Sequence, residues 1–158
     1  YSARSLPDVP AVRAQLRSLV AGLAERYPIV QLDTGLGLDE HADYDLAPAG
    51  GMLSVKGQLD PRTNLAVQTR VMAGARLFVG TCGSLAWLAP LLGVSTLALF
   101  TDASFLHAHL HVARRAYGRL AAGHFSPMDL GGLEETGLAL GALRGLTPAA
   151  SHPGPERH

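Results

Sequence analysis

The sequence predicts an α/β fold built on a doubly wound, mostly parallel sheet. Three observations carry this. Segments with apolar residues at helical spacing alternate with short runs of strand-forming residues. The 158 residues are 47% hydrophobic, enough for one core and short for two. The uncharged stretch from Leu77 to Phe100 is long enough to cross a bilayer, but Gly80, Gly83, Pro90 and Gly93 break it where a span would run on.

Each element follows in order. PAVRAQLRSLVAGLAERY, with Val12, Leu16, Leu19, Val20 and Leu23 in helical register and Pro10 at its start, predicts an amphipathic helix. PIVQLDT reads as a short strand, GLGLDEHADYDLAPAGG as a Gly- and Asp-rich loop, and MLSVK as a second strand. Asp60 and Pro61 open a helix through RTNLAVQTRVMAGA, with Leu65, Val67, Val71 and Met72 available to pack. Within the uncharged stretch, RLFVG is a strand, Thr81 to Ser84 a small-residue turn, SLAWLAPLLG a helix stopped by Gly93, and STLALF a further strand. After Thr101 and Asp102 comes the helix ASFLHAHLHVARRAYGRLAAG. HFSPMD separates it from a Gly-interrupted helix over Leu133–Leu143.

The chain opens on Tyr1 with no initiator Met and no signal-peptide pattern. A doubly wound unit normally begins with a strand, and this one begins in the loop after it. The expectation is a Rossmann-like domain over residues 1–145, its first strand cut away, and a disordered tail over 146–158 rich in Pro and Ala.

Acidic and basic residues balance at 13 each, so charge gives no argument for a nucleic-acid or membrane-surface partner. All basic residues but Lys56 are Arg, which suits bidentate anion contacts. The single cysteine, Cys82, excludes an internal disulfide and fits a reducing, cytoplasmic setting.

Parallel sheets bind ligands at the carboxyl ends of their strands. Three loops qualify. Thr81, Cys82, Gly83 and Ser84 combine hydroxyls and a small residue at a helix start, and read equally as a phosphate loop or as a capped tight turn. Cys82 lacks a nearby base for nucleophilic work, and a small buried hydrophobe is its simpler reading. Arg4 precedes the first helix and would clamp a phosphate or stay a solvated surface group. Asp102 would accept sugar hydroxyls or cap the following helix. Asn64 and Gln68, one helical turn apart, either reach a ligand together or line an exposed face. His107 and His111 share a helix face without a third ligand, so no metal is expected. The acidic run from Asp39 to Asp45 lacks calcium-loop spacing.

The segment NLAVQTRVMAGARLFVGTCGSLAWLAPLLGVSTLALF resembles the C-terminal donor half of GT-B-fold glycosyltransferases. The matching steps are Ala73-Gly74-Ala75-Arg76, the strand from Leu77 to Gly80, the loop Thr81 to Ser84, and Leu91-Leu92-Gly93-Val94-Ser95-Thr96. Ser95 stands where such proteins usually carry Pro, and the Glu of many retaining members is missing, so the heptosyltransferase-like and related inverting branches are closer. The resemblance implies that Thr81, Gly83 and Ser84 hold the diphosphate of a nucleotide-sugar donor, that Arg4 neutralises it without a metal or other cofactor, and that Val55 and Lys56 lie along the base. It implies a carbohydrate or glycolipid acceptor bound through an N-terminal domain not in this chain, which would hold the general base. A sugar-nucleotide epimerase of the same fold and a non-catalytic α/β interaction module are the alternatives.

Overall fold

The computed structural model describes residues 6–34, 46, 52–120 and 123–135. Its elements are α1 (Pro10–Ala24), β1 (Ile29–Gln31), β2 (Met52–Ser54), α2 (Asn64–Ala73), β3 (Leu77–Thr81), α3 (Ser84–Leu88) running into a 3-10 turn (Ala89–Leu92), β4 (Ser95–Phe100), α4 (Ala103–Leu120), β5 (Phe125–Asp129) and α5 (Leu130–Glu135). Among the described residues every ladder is parallel, and the strands form two sheets, β1-β2 and β3-β4-β5, where a single sheet was expected.

The three-stranded sheet is covered on both faces, and the alternation of side chains along its strands decides which residue goes where. Val79, Leu97, Leu99 and Met128 face α1, whose Val12, Leu16 and Leu19 are buried one helical turn or so apart, together with Leu6 and Leu130. Phe78, Ala98, Phe100 and Phe125 face the other way, onto Ala86 and Trp87 of α3 and Leu110 of α4. A third cluster of Met72, Ala89 and Val94 gathers Leu32, Phe78, Leu85 and Leu88, and so links the β1-β2 end to β3. The uncharged stretch is thus strand, helix and strand, and no helix among the described residues is long and apolar enough to cross a membrane. Gly93 ends the 3-10 turn at φ +79, the left-handed conformation that L side chains avoid.

Three expectations are corrected. Phe125–Asp129 of HFSPMD forms β5, the edge strand of its sheet among the described residues, a place where Pro127 is tolerated. The last helix starts at Leu130, not Leu133, because the Asp129 carboxylate accepts the Gly131 N–H at 2.9 Å and nucleates its first turn; residues beyond 135 lie outside the described ones. In α2 the buried stripe is Gln68 and Met72, four apart, while Leu65 is 65% exposed and Val67 also faces solvent. That helix begins at Asn64, after a turn in which the Asp60 carbonyl accepts the Asn64 N–H at 2.8 Å.

Candidate functional site

Because all the described strands are parallel, their carboxyl ends open on one edge of each sheet. In the β3-β4-β5 sheet, Thr81 pairs with Leu99, and Phe100 with Asp129. This register sets the loop Cys82-Gly83 beside Thr101-Asp102, and Thr101-Asp102 beside Leu130-Gly131. The contact is close: a Cβ on Gly131 would stand 3.3 Å from the Thr101 carbonyl oxygen.

The loop after β3 is the most complete part of the edge. Thr81 and Gly83 are half-buried and Ser84 is exposed. Gly83 is extended (φ −148) at the start of α3, and no side chain caps the helix there; Trp87 donates to the Gly83 carbonyl at 3.1 Å. The N–H groups of the first turn therefore face the edge without a side-chain acceptor. A Cβ at Gly83 would meet Thr81 Oγ1 no closer than 3.7 Å, so the space above this residue is open.

Cys82 does not belong to that opening. It is 4% exposed, its thiol packs with Ala86, Ala98 and Phe100, and its N–H is committed to the Leu99 carbonyl at 2.9 Å. Burial pushes the thiol up to about 12, which leaves it protonated and unreactive near neutral pH. Its place in the binding set is corrected to a packing residue.

Gln68 is corrected likewise. It is 5% exposed and its Nε2 donates to the Leu32 carbonyl at 3.4 Å, pinning α2 to the chain just past β1. Asn64, one turn earlier, is half-buried, and its Oδ1 is enclosed without a partner. The pair therefore does not act together on a ligand. Asp102 is exposed directly ahead of α4. Arg4 lies outside the described residues.

Lys56 is exposed in a turn closed by the Gln58 N–H on the Val55 carbonyl at 3.0 Å, with Gly57 at φ +77 in its third position. It belongs to the carboxyl edge of the β1-β2 sheet. The backbone N–H of Lys56 donates to Ser54 Oγ at 3.0 Å, and that hydroxyl donates to Asp33 Oδ1 at 2.6 Å. Asp33 is a residue that sequence reasoning missed; its place just after a predicted strand was the available signal. Asp129 was missed with β5.

His107, His109 and His111 are all exposed on α4, and His109 stacks on Trp87 with ring centroids 6.3 Å apart. Among the described residues no group of three or more His, Cys, Asp or Glu side chains converges on a point that would hold a metal ion.

The described residues define an α/β protein whose loops gather at the carboxyl edges of parallel strands. Comparison with protein families, with curated proteins and with solved structures finds no match.

Proposed function

We propose that this chain is the Rossmann-like donor-binding half of a glycosyltransferase, holding a nucleotide-diphosphate sugar for transfer to a carbohydrate or glycolipid acceptor. The observation that carries the reading is the strand register, which sets the open loop Thr81–Ser84 beside Thr101-Asp102 at one edge. The GT-B resemblance of residues 64–100 supports the same loop as the diphosphate seat. In this reading Thr81 and Ser84 offer hydroxyls, the free N–H groups at the start of α3 offer donors, and Asp102 accepts sugar hydroxyls. Arg4 supplies the cation and Lys56 lies toward the base. Acceptor activation belongs to a second domain, so this chain alone binds donor and turns over nothing.

The test is calorimetric titration of the chain with UDP, GDP and ADP. Binding to one of them, weakened at least about tenfold by both Arg4→Ala and Gly83→Val, is the expected result, since a tenfold loss is only about 1.4 kcal/mol. Equal affinity in both variants and the parent removes the site. Turnover of a UDP-sugar in the absence of acceptor identifies the epimerase instead, and indifference to all three nucleotides leaves the non-catalytic module.

A further inference from the structure

We infer that the outward face of α4 docks this chain on an anionic lipid bilayer. Charge balances over the whole sequence but not along it: residues 61–120, which build α2, β3, α3, β4 and α4, hold six Arg and one acid, Asp102. The three helices share one layer, because Met72 of α2, Trp87 of α3 and Leu110 of α4 pack with Phe78 or its neighbours on the same side of the sheet. Asp102 precedes α4 at the carboxyl edge, so the helices themselves carry no carboxylate. The opposite layer mixes the signs, as soluble surfaces do. There Arg13 pairs with Asp8 beside α1, Glu25 follows that helix, and α5 ends in Glu134 and Glu135.

Helical spacing decides what α4 presents outward. Leu110, Ala113 and Tyr117, at i, i+3 and i+7, turn inward: Leu110 packs with Ala86, Ala98 and Phe100, Ala113 is buried, and Tyr117 reaches the Trp87 carbonyl. Val112, Arg115 and Arg119 repeat that spacing two residues out of phase, a rotation of about 200°, and all three are exposed. Arg114, Arg115 and Arg119 form no ion pair among the described residues. Beyond the end of α4 the Gly123 N–H donates to the Pro90 carbonyl at 2.9 Å, which brings the 3-10 turn alongside. Val112 (64% exposed), Leu120 (58%) and Leu91 (54%) thus stand in solvent next to the arginines.

The helix dipole accounts for one cation in the last turn, Arg119, but not for Arg115 or the exposed aliphatic groups. Unpaired guanidinium groups interleaved with aliphatic side chains match a surface that is anionic outside and apolar beneath. Arg meets lipid phosphate through two parallel hydrogen bonds, and Val112, Leu91 and Leu120 enter the acyl boundary. A nucleic-acid backbone would satisfy the arginines and leave those side chains in water. α4 starts at the carboxyl edge, after Asp102, so a bilayer laid along its outer face does not cover the loop Thr81–Ser84. The inference is independent of the nucleotide reading, because its test contains no donor.

The experiment measures partition of the full chain, by co-sedimentation at fixed salt, onto vesicles of phosphatidylcholine alone and of phosphatidylcholine mixed with phosphatidylserine. Binding to the mixed vesicles only is expected. It should weaken at least about tenfold in Arg115→Glu/Arg119→Glu, since each arginine near such a surface contributes about fivefold. Val112→Ser should weaken it about threefold, and Arg17→Glu, a charge reversal at an exposed position of α1, should leave it unchanged. Partition onto neither vesicle, equal partition onto both, or a loss with Arg17→Glu as large as with the double variant overturns the inference. Duplex DNA or polyglutamate bound as tightly as the mixed vesicles, with Val112→Ser without effect, assigns the face to polyanions at large and overturns it as well.

Discussion

The Tyr117 hydroxyl donates a 2.6 Å hydrogen bond to the backbone carbonyl of Trp87, and so ties α4 to α3 across one face of the sheet. The Tyr117 ring lies 5.2 Å from that of Phe125, which in turn stacks at 5.0 Å on Trp87, so one polar and two aromatic contacts fix the same three elements. The loop after β3 is held from behind by this arrangement, because Trp87 sits one turn into the helix that the loop begins.

Tyr117→Phe keeps the ring contact and removes the hydroxyl. Loss of one hydrogen bond to a part-buried carbonyl costs about 1 kcal/mol. A lowered urea midpoint with an unchanged slope is the expected outcome, and a variant as stable as the parent shows that water replaces the hydroxyl fully.

Cys82 makes stability depend on alkaline pH. Its folded thiol is raised from 9.0 to about 12, so between these values the unfolded chain gives up a proton that the folded chain keeps. The contribution is fully present below about pH 9 and falls away as pH rises toward about 12, by no more than about 1.4 kcal/mol per pH unit. Denaturation curves from pH 8 to 11 should show this decline in the parent and a shallower one in Cys82→Ala; identical profiles would contradict the burial assigned to the thiol. Near neutral pH a disulfide reagent should label Cys82 no faster than the protein unfolds.

Two glycines separate strain from crowding. A Cβ at Gly123 would fall 2.4 Å from the Val94 carbonyl oxygen, a backbone atom that cannot swing aside, so Gly123→Ala should cost about 3 kcal/mol, the upper end of overpacking. At Gly93 the space is open and only the left-handed backbone resists, so Gly93→Ala should cost about 1–2 kcal/mol. Thermal melts of the two variants should rank in that order.

Gln68→Leu replaces the buried amide with a side chain of similar volume and leaves the Leu32 carbonyl without its side-chain donor. A loss of about 1–3 kcal/mol is expected. The same variant distinguishes structure from binding: if nucleotide affinity is unchanged when measured well below the unfolding transition, Gln68 acts as the clamp seen here, whereas a selective loss of affinity would return it to the site.

Much of the fold was legible because its signals are local. Gly80, Gly83, Pro90 and Gly93 partition the oily stretch, and the observed boundaries fall within a residue or two of where those breakers put them. β5 was not legible: FSPMD has proline and few strand formers, and it extends because β4 offers it a ladder from Thr96 to Phe100. In α2, Leu65 and Val67 looked like the packing face, but the helix is rotated so that Gln68 and Met72 meet Leu32 and Ala89. The candidate site divides similarly. Its principal loop was visible from Thr81 to Ser84, whereas the turning of Cys82 into the core and the bond from Ser54 to Asp33, 21 residues apart, depend on strand alternation and pairing.

By itself the sequence determined where chain direction changes, since a missing Cβ or a locked φ acts on the residue that carries it whatever lies nearby. Only the tertiary structure decided which side of each element is buried, that a proline-bearing segment becomes a strand, and that among the described residues β1-β2 and β3-β4-β5 stand as two sheets. Those outcomes are set by hydrogen bonds and packing between residues far apart along the chain, and each partner's contribution exists only once the other is in place.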